Sequence, residues 1–311
     1  RLKNALKKYS PALIKVPDTE KSKSNLQVVR VIESIVKIDK GRGIFIISLG
    51  GGVVGDLSGF VASIYKRGVP YIQIPTTLLA QVDSAIGGKV AIDLTSAKNL
   101  VGAFYQPRLV VSDISMLRSL PARQIRSGLG EIIKYGIIKD LKLFSYLEEN
   151  IYRIKRLNKD ALEYIITRSS AIKAQVVHLD EYDNRGIRAS LNFGHTIGHA
   201  LETACGYSKL YSHGEAVALG MVAASRIAVQ LGLLEDISLK RIIKLLKEAG
   251  LPTEISSRLK TEKIMKAQTH DKKIIRGVNR FVLPVKIGRT RIYEDIPRRL
   301  IVDTIKLMRK G

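Results

Sequence analysis

The stretch Gly43-Ile44-Phe45-Ile46-Ile47-Ser48-Leu49, running into Gly50-Gly51-Gly52-Val53-Val54-Gly55-Asp56, decides the fold class. An apolar run rich in isoleucine that ends in three glycines reads as a buried strand. The glycines then turn the chain into a helix expected from about Asp56 to Lys66. Gly50, Gly52 and Gly55 fit the pattern G-x-G-x-x-G, placed between that strand and that helix. Glycines there let backbone N–H groups approach a pyrophosphate, at a helix N-terminus whose dipole favours anions. A tight strand-to-helix turn with no ligand would use the same residues. The usual ribose-binding acid is also missing, since no Asp or Glu lies between Leu57 and Val82. Asp56 is the nearest acidic residue.

Working outward, Tyr71-Ile72-Gln73-Ile74 reads as a second strand that stops at Pro75, and Leu109–Asp113 as a third. Beyond Pro121 the apolar residues recur at helical spacing, over Leu129–Ile138, Ala161–Val177 and Ala216–Leu233. Gly250 followed by Pro252 marks a helix stop. The expected architecture is an α/β N-terminal dinucleotide-binding domain over residues 1–121, joined to a mostly α-helical C-terminal metal-binding domain over residues 122–311.

The chain has 311 residues, 45% of them apolar and 26% charged, a globular balance that argues against disorder. No apolar run approaches the roughly 18 residues that span a bilayer, so no membrane partner is expected. The single cysteine, Cys205, excludes an intrachain disulfide and a thiolate metal cluster, as in a cytoplasmic protein. The chain begins at Arg1, which leaves room for a leader or a first strand before it. The 52 Lys+Arg against 28 Asp+Glu give a formal charge of +24, suited to polyanionic partners. These cations are spread along the chain, and dense stretches such as Lys240–Lys247 read as the solvated face of a helix. Zinc-finger spacing and ribonucleoprotein aromatics are both missing, so nucleic-acid binding is at most a second activity.

Three of the five histidines, His195, His199 and His213, fall close together. His195 and His199 are four apart, on one face of a helix. That spacing suits a metal, although residue 196 is Thr and the H-E-x-x-H pattern is absent. Satisfied core histidines would look the same. Glu131, an acid inside an apolar helical run, could complete a metal site or simply pair with Lys134. Thr76 and Thr77 follow the second strand. Asp83 and Lys89 bracket Ser84–Gly88, Lys98-Asn99 follow, and Lys173, Arg188 and Asn192 precede the histidines. A dinucleotide loop, a metal-type cluster and scattered cations together suggest redox chemistry on a phosphorylated polyol.

With these residues in place, the chain resembles 3-dehydroquinate synthase, of the sugar phosphate cyclase superfamily. The matching stretches are Gly50–Asp56, Pro75–Ser84, Gly87-Gly88-Lys89, Lys98–Pro107, Glu131–Gly136, Leu191–His199 and His213–Ala216, in family order. The resemblance implies a zinc or cobalt ion bound by Glu131, His195 and His213. It implies NAD held by Gly50, Gly51, Gly52, Gly55 and Asp56, with Thr76, Thr77, Lys98 and Asn99. Asp83, Lys89, Lys134, Lys173, Arg188, Asn192 and His199 match substrate-pocket positions, and Lys272 a further substrate lysine. Arg67 matches an arginine that reaches the substrate phosphate across a homodimer interface; within one subunit it would be the C-cap of the helix after the glycine loop.

The implied reaction converts 3-deoxy-arabino-heptulosonate 7-phosphate to 3-dehydroquinate and phosphate in the shikimate pathway, with catalytic NAD. Lys89, Lys173, Arg188 and Lys272 would grip the carboxylate and phosphate, and His199 would transfer protons. Three departures stand out. A strand and an acidic turn that the family carries before Arg1 are absent, and Gln124 replaces a frequent Glu. The segment Asp180–Gly186 is one residue longer than usual, so either Asp183 or Asn184 takes the pocket-acid position. The alternatives are another sugar phosphate cyclase and a metal-dependent NAD polyol dehydrogenase.

Overall fold

The structure is a computed structural model that describes residues 2–41, 43–95, 97–206, 210–269 and 279–309. It divides into two compact units, one of residues 1–76 and 84–113, the other of residues 77–83 and 114–311.

In the first unit a short helix α1 (Leu2–Ala5) precedes α2 (Asn25–Ile38), whose N-cap Ser24 accepts from the Gln27 N–H. Strand β1 (Ile46–Gly50) pairs in parallel with β2 (Tyr71–Pro75), from Ile46 opposite Tyr71 to Gly50 opposite Pro75. The expected strand starts three residues late, at Ile46. Helix α3 (Gly52–Ile64) starts four residues earlier than expected, directly on the glycines, with Gly51 extended at its cap. Asp56 therefore sits one turn inside α3. An antiparallel pair follows, β3 (Lys89–Ile92) with β4 (Val101–Phe104). Strand β5 (Leu109–Val110) then joins β2 in parallel, giving the order β1-β2-β5. It is shorter than the expected Leu109–Asp113, because after the Val111 N–H bonds to Gln73 O the chain turns into a 3-10 segment, Ile114–Ser119. Leu57, Phe60 and Val61 of α3 pack with Val28, Val31 and Ile35 of α2 and with Tyr71, Val90 and Ile92, forming this unit's core.

The second unit is largely helical. Its elements are α4 (Ala122–Lys139), α5 (Leu141–Lys155), α6 (Lys159–Leu179), α7 (His195–Ala204), α8 (His213–Gln230), α9 (Asp236–Glu248) and α10 (Thr261–Thr269). A hairpin of β6 (Arg280–Lys286) and β7 (Arg289–Glu294) and a last helix α11 (Arg298–Leu307) complete it. Helices α4, from Ser127 to Ile138, and α8 are buried on almost every face. Among the described residues no helix is long and apolar enough to cross a membrane.

Two glycines of α8 let its neighbours approach to backbone contact. A Cβ on Gly214 would lie 2.0 Å from Ser127 O of α4, and one on Gly220 would lie 1.8 Å from Gly194 O at the head of α7. Only the missing side chains permit this spacing.

Candidate active site

Those close approaches bring together three residues that are remote in sequence. Glu131 follows Gly130 on α4, His195 opens α7 and His213 opens α8. Glu131 is fully buried, and His195 Nε2 and His213 Nε2 stand 3.6 and 3.5 Å from its Oε1. All three ligand atoms lie within 4.8 Å of one another. Two donors bound at about 2.1 Å to a tetrahedral ion are about 3.4 Å apart, so the spacing fits a divalent metal. The outer nitrogens fit as well. His195 Nδ1 faces Phe193 O at 3.1 Å and His213 Nδ1 faces Glu202 Oε1 at 3.2 Å, which leaves both Nε2 atoms turned to Glu131.

Glu131 also pairs with Lys134, itself only 2% exposed, so the carboxylate faces both a lysine and the two histidines. Burial opposes the Glu131 charge, yet Lys134 and His213 hold its carboxyl down at about 2. For His213 burial again opposes the charge, but Glu131 and Glu202 carry the imidazole up to about 10. The backbone at His213 is fixed from outside: the Glu215 carboxylate accepts from the Ser212 N–H at 2.7 Å, and Arg123 binds that carboxylate, its Nη2 2.6 Å from Oε2. His199 lies one turn along α7, its ring 5.2 Å from that of His195.

A second constellation in the same unit centres on Asp83, on a π-helical turn Ala80–Ser84. Lys173 Nζ donates to its Oδ1 at 2.6 Å and to its carbonyl at 2.7 Å, and Tyr135 Oη donates to Oδ1 at 2.6 Å. Burial opposes the Asp83 charge, but Lys173 and Lys134 lower its carboxyl below the ordinary range. Burial lowers the Lys173 ammonium in spite of Asp83, and pushes the Tyr135 hydroxyl well up. Arg188 is buried too, which depresses its guanidinium, and it donates to Glu181 O at 3.0 Å. Its loop is organised by Asp180, whose carboxylate accepts four backbone N–H groups, from Asn184, Arg185, Ile187 and Arg188. Of the two possible pocket acids, Asp183 contributes a charge that acts on Arg188. Asn192 ends the 3-10 turn Ile187–Asn192, just before the histidines. Thr77 Oγ1 accepts from the Ala80 N–H at 3.2 Å.

In the first unit the Thr76 N–H donates to Gly50 O at 2.9 Å, joining β2 to the glycine turn. Asp56 and Asn99 meet through a residue that the sequence did not single out. Lys23, 5% exposed, donates to Asp56 Oδ2 at 2.7 Å and to Asn99 Oδ1 at 2.5 Å. Burial opposes that ammonium, but Asp56, with Glu20 and Asp93, raises it. Asn99 is left-handed at φ 51° and its N–H donates to Asp93 Oδ1, while Lys98 pairs with Glu20 at 3.3 Å. Lys89 opens β3 with its ammonium over the Phe104 ring.

Arg67 departs from the expected helix cap. Helix α3 stops at Ile64, and Lys66 and Arg67 are both left-handed, at φ 48° and 64°. Asp39 braces that turn, accepting from Tyr65 Oη and Lys66 Nζ, each at 2.6 Å. Lys272 lies outside the described residues. Sequence reasoning also missed Tyr135, Asp180 and Glu202. Lys23 had no signal among so many cations, but Glu202, three residues after His199 on one helix face, could have been found from spacing.

Comparison with known proteins accounts for nearly the whole chain. Residues 13–127 match the family described as 3-dehydroquinate synthase N-terminal, and residues 128–274 that described as 3-dehydroquinate synthase C-terminal. The 3-dehydroquinate synthase of Desulforamulus reducens is 47% identical over 295 residues, 95% of this chain and 81% of that protein. That of Caldanaerobacter subterraneus is 52% identical over 279 residues, 89% of this chain and 77% of that protein. Among solved structures, 2-epi-5-epi-valiolone synthase from Streptomyces hygroscopicus, with NAD+ and Zn2+ bound, superposes with a TM-score of 0.86 at 27% identity, covering 94% of this chain and 81% of that one. The 2-deoxy-scyllo-inosose synthase complexed with carbaglucose-6-phosphate, NAD+ and Co2+ gives 0.83 at 27% identity, with coverage of 96% and 83%. Two matching family halves and relatives at this identity leave one conclusion: the chain belongs to the 3-dehydroquinate synthase family.

Proposed function

We propose that this chain is a 3-dehydroquinate synthase, a carbon–oxygen lyase that converts 3-deoxy-arabino-heptulosonate 7-phosphate to 3-dehydroquinate and phosphate. The observation that carries the reading is the buried Glu131–His195–His213 cluster, at ligand spacing, in a chain whose solved neighbours are described with NAD+ and Zn2+ or Co2+. When bound, a zinc or cobalt ion supplies Lewis acidity at a substrate hydroxyl, and NAD supplies a reversible hydride acceptor.

Glu131, His195 and His213 would hold the ion. Gly50, Gly51, Gly52, Gly55, Asp56, Thr76, Thr77, Lys98 and Asn99 would hold NAD, the α3 N-terminus meeting its pyrophosphate. Arg188 suits a bidentate grip on a carboxylate or phosphate, because its guanidinium stays charged even where burial depresses it. Lys89, Lys173 and Lys272 add point charges for the same two groups. Asp83 keeps Lys173 aligned, and its own alignment is held by Tyr135. Lys134 partners Glu131 and, with Asn192, orients the substrate. His199 moves a proton between substrate and solvent, since an imidazole ordinarily titrates near neutral pH. The active unit in this reading is a homodimer, with Arg67 reaching the partner's substrate phosphate. Acting on a small sugar phosphate, the enzyme works in the cytoplasm. In the matching domain reading, residues 1–121 carry the dinucleotide site and lend Arg67, Asp83 and Lys89 to the substrate, while residues 122–311 carry the metal ligands and the remaining substrate residues.

Incubation with the heptulosonate phosphate and substoichiometric NAD should release phosphate over many turnovers, with no net NADH. Accumulation of NADH in step with product would make the protein a dehydrogenase. A second reading, another sugar phosphate cyclase, is favoured by the likeness to the valiolone and inosose synthases. Phosphate release from a heptose or hexose phosphate, and none from the heptulosonate, would establish it.

A further inference from the structure

Glu202 belongs to none of the roles assigned so far, yet it stands directly behind a metal-ligand candidate. It lies on α7, three residues after His199 and seven after His195, so the three share one helix face. Its side chain is 18% exposed and its Oε1 lies 3.2 Å from His213 Nδ1. A carboxylate can only accept, so His213 must donate from Nδ1. That leaves Nε2 as the ring atom that faces Glu131 Oε1, at 3.5 Å, where its lone pair would be available to an ion held between them.

His195 reaches the same state by another route. Its Nδ1 lies 3.1 Å from Phe193 O, and its Nε2 3.6 Å from Glu131 Oε1. Two imidazoles on different helices thus present the same nitrogen to one carboxylate, each set by an acceptor behind it. The acceptor behind His195 is a neutral carbonyl, whereas the one behind His213 carries a charge. The Glu215 and Arg123 contacts pin the backbone at the start of α8 but leave the His213 ring free to rotate. Only a contact to the ring itself fixes its direction.

We infer that Glu202 is a positioning residue for the metal centre, holding His213 in the Nδ1–H tautomer with Nε2 aimed at the ion and making that nitrogen a stronger donor. The inference rests on the metal reading above. His199, Glu202 and His213 also lie within 4.8 Å of one another, so a direct ligand role for Glu202 is the rival that the experiment must separate.

The test measures metal binding rather than turnover. Zinc affinity is read by competition with a chromogenic chelator, and geometry by the visible absorption of the cobalt-loaded protein, for the parent, Glu131→Ala, Glu202→Ala and Glu202→Gln. Outer partners of ligating histidines are worth about 10- to 100-fold in affinity. Glu202→Ala should fall by that factor. Glu202→Gln, which keeps an acceptor oxygen without the charge, should recover most of the loss while showing the parent's cobalt spectrum. Should Glu202→Ala not fold, Glu202→Gln carries the test with an expected loss of about threefold or more, the residue of that factor once the charge is gone. Parental affinity in Glu202→Ala, or in Glu202→Gln where that variant stands alone, overturns the inference. So does a Glu202→Gln as weak as Glu202→Ala, or one with a changed cobalt spectrum, which would mark Glu202 as a ligand. Failure of the metal reading looks different: the parent takes up no ion, or Glu131→Ala binds as tightly as the parent.

Discussion

Gly214→Ala should damage the metal centre without touching a ligand. The new Cβ would lie 2.0 Å from Ser127 O and 2.6 Å from Ser127 C and Cα. An ordinary carbon–oxygen contact is about 3.4 Å, so the methyl is about 1.4 Å too close. The obstacle is backbone in the middle of α4, and no side-chain rotation relieves it. Helices α4 and α8 must separate by about 1 Å, an overpacking that costs about 1–3 kcal/mol. Glu131 lies one turn after Ser127 on α4, and His213 is the residue before Gly214, so the separation is passed almost whole to their 3.5 Å spacing. Metal sites hold their ligand distances to within about 0.2 Å, so zinc affinity should fall at least about tenfold. Misplacement on this scale costs catalysis about 100-fold. Urea unfolding of the chelated protein measures the stability term and chelator competition the affinity. Gly43→Ala, whose Cβ would meet nothing within 4 Å, is the control and should stay within about 0.5 kcal/mol. A Gly214→Ala protein with parental stability and parental zinc affinity would refute the argument that backbone contact sets the ligand spacing.

Asp180→Ala removes the acceptor of four backbone N–H groups in the loop that carries Arg188; kcat/KM should drop roughly 10- to 100-fold through KM, with zinc affinity unchanged in the same chelator assay. Asp39 has its carboxyl lowered to about 2 by the Lys66 and Tyr65 hydrogen bonds. The unfolded chain therefore binds the proton more readily, and the contribution of Asp39 is complete above an ordinary value near 3.8 and lost as pH falls towards 2. Melting temperatures of the parent and Asp39→Asn should converge over that window and stay parallel above it. Mixing inactive Arg67→Ala chains with inactive Glu131→Ala chains should restore activity, because one pocket of the mixed dimer escapes both lesions; no recovery after demonstrated subunit exchange would place Arg67 in its own subunit's site.

Much of this protein was determined by local sequence. An isoleucine-rich run that ends in three glycines can only be a strand turning sharply, and three parallel strands followed by long helices appear where the periodicity put them. Backbone propensity and hydrophobic period act over a few residues, so they are legible without the fold. The boundaries were less so: α3 starts at Gly52 instead of Asp56, because an extended Gly51 lets the helix begin on the glycines. The Arg67 turn was also hidden, since nothing in Tyr65-Lys66-Arg67 announces a left-handed pair braced by an aspartate 26 residues from Tyr65. Which acid meets which histidine was likewise a tertiary matter. Sequence left Glu131 open between a metal and Lys134, and the packing of α4, α7 and α8 through bare glycines set it against Lys134 and the Nε2 atoms of His195 and His213 together. Lys23, Asp180 and Glu202 became visible only in the folded chain, because a hydrogen bond over 3 Å depends on where helices cross, and residue type alone does not encode that.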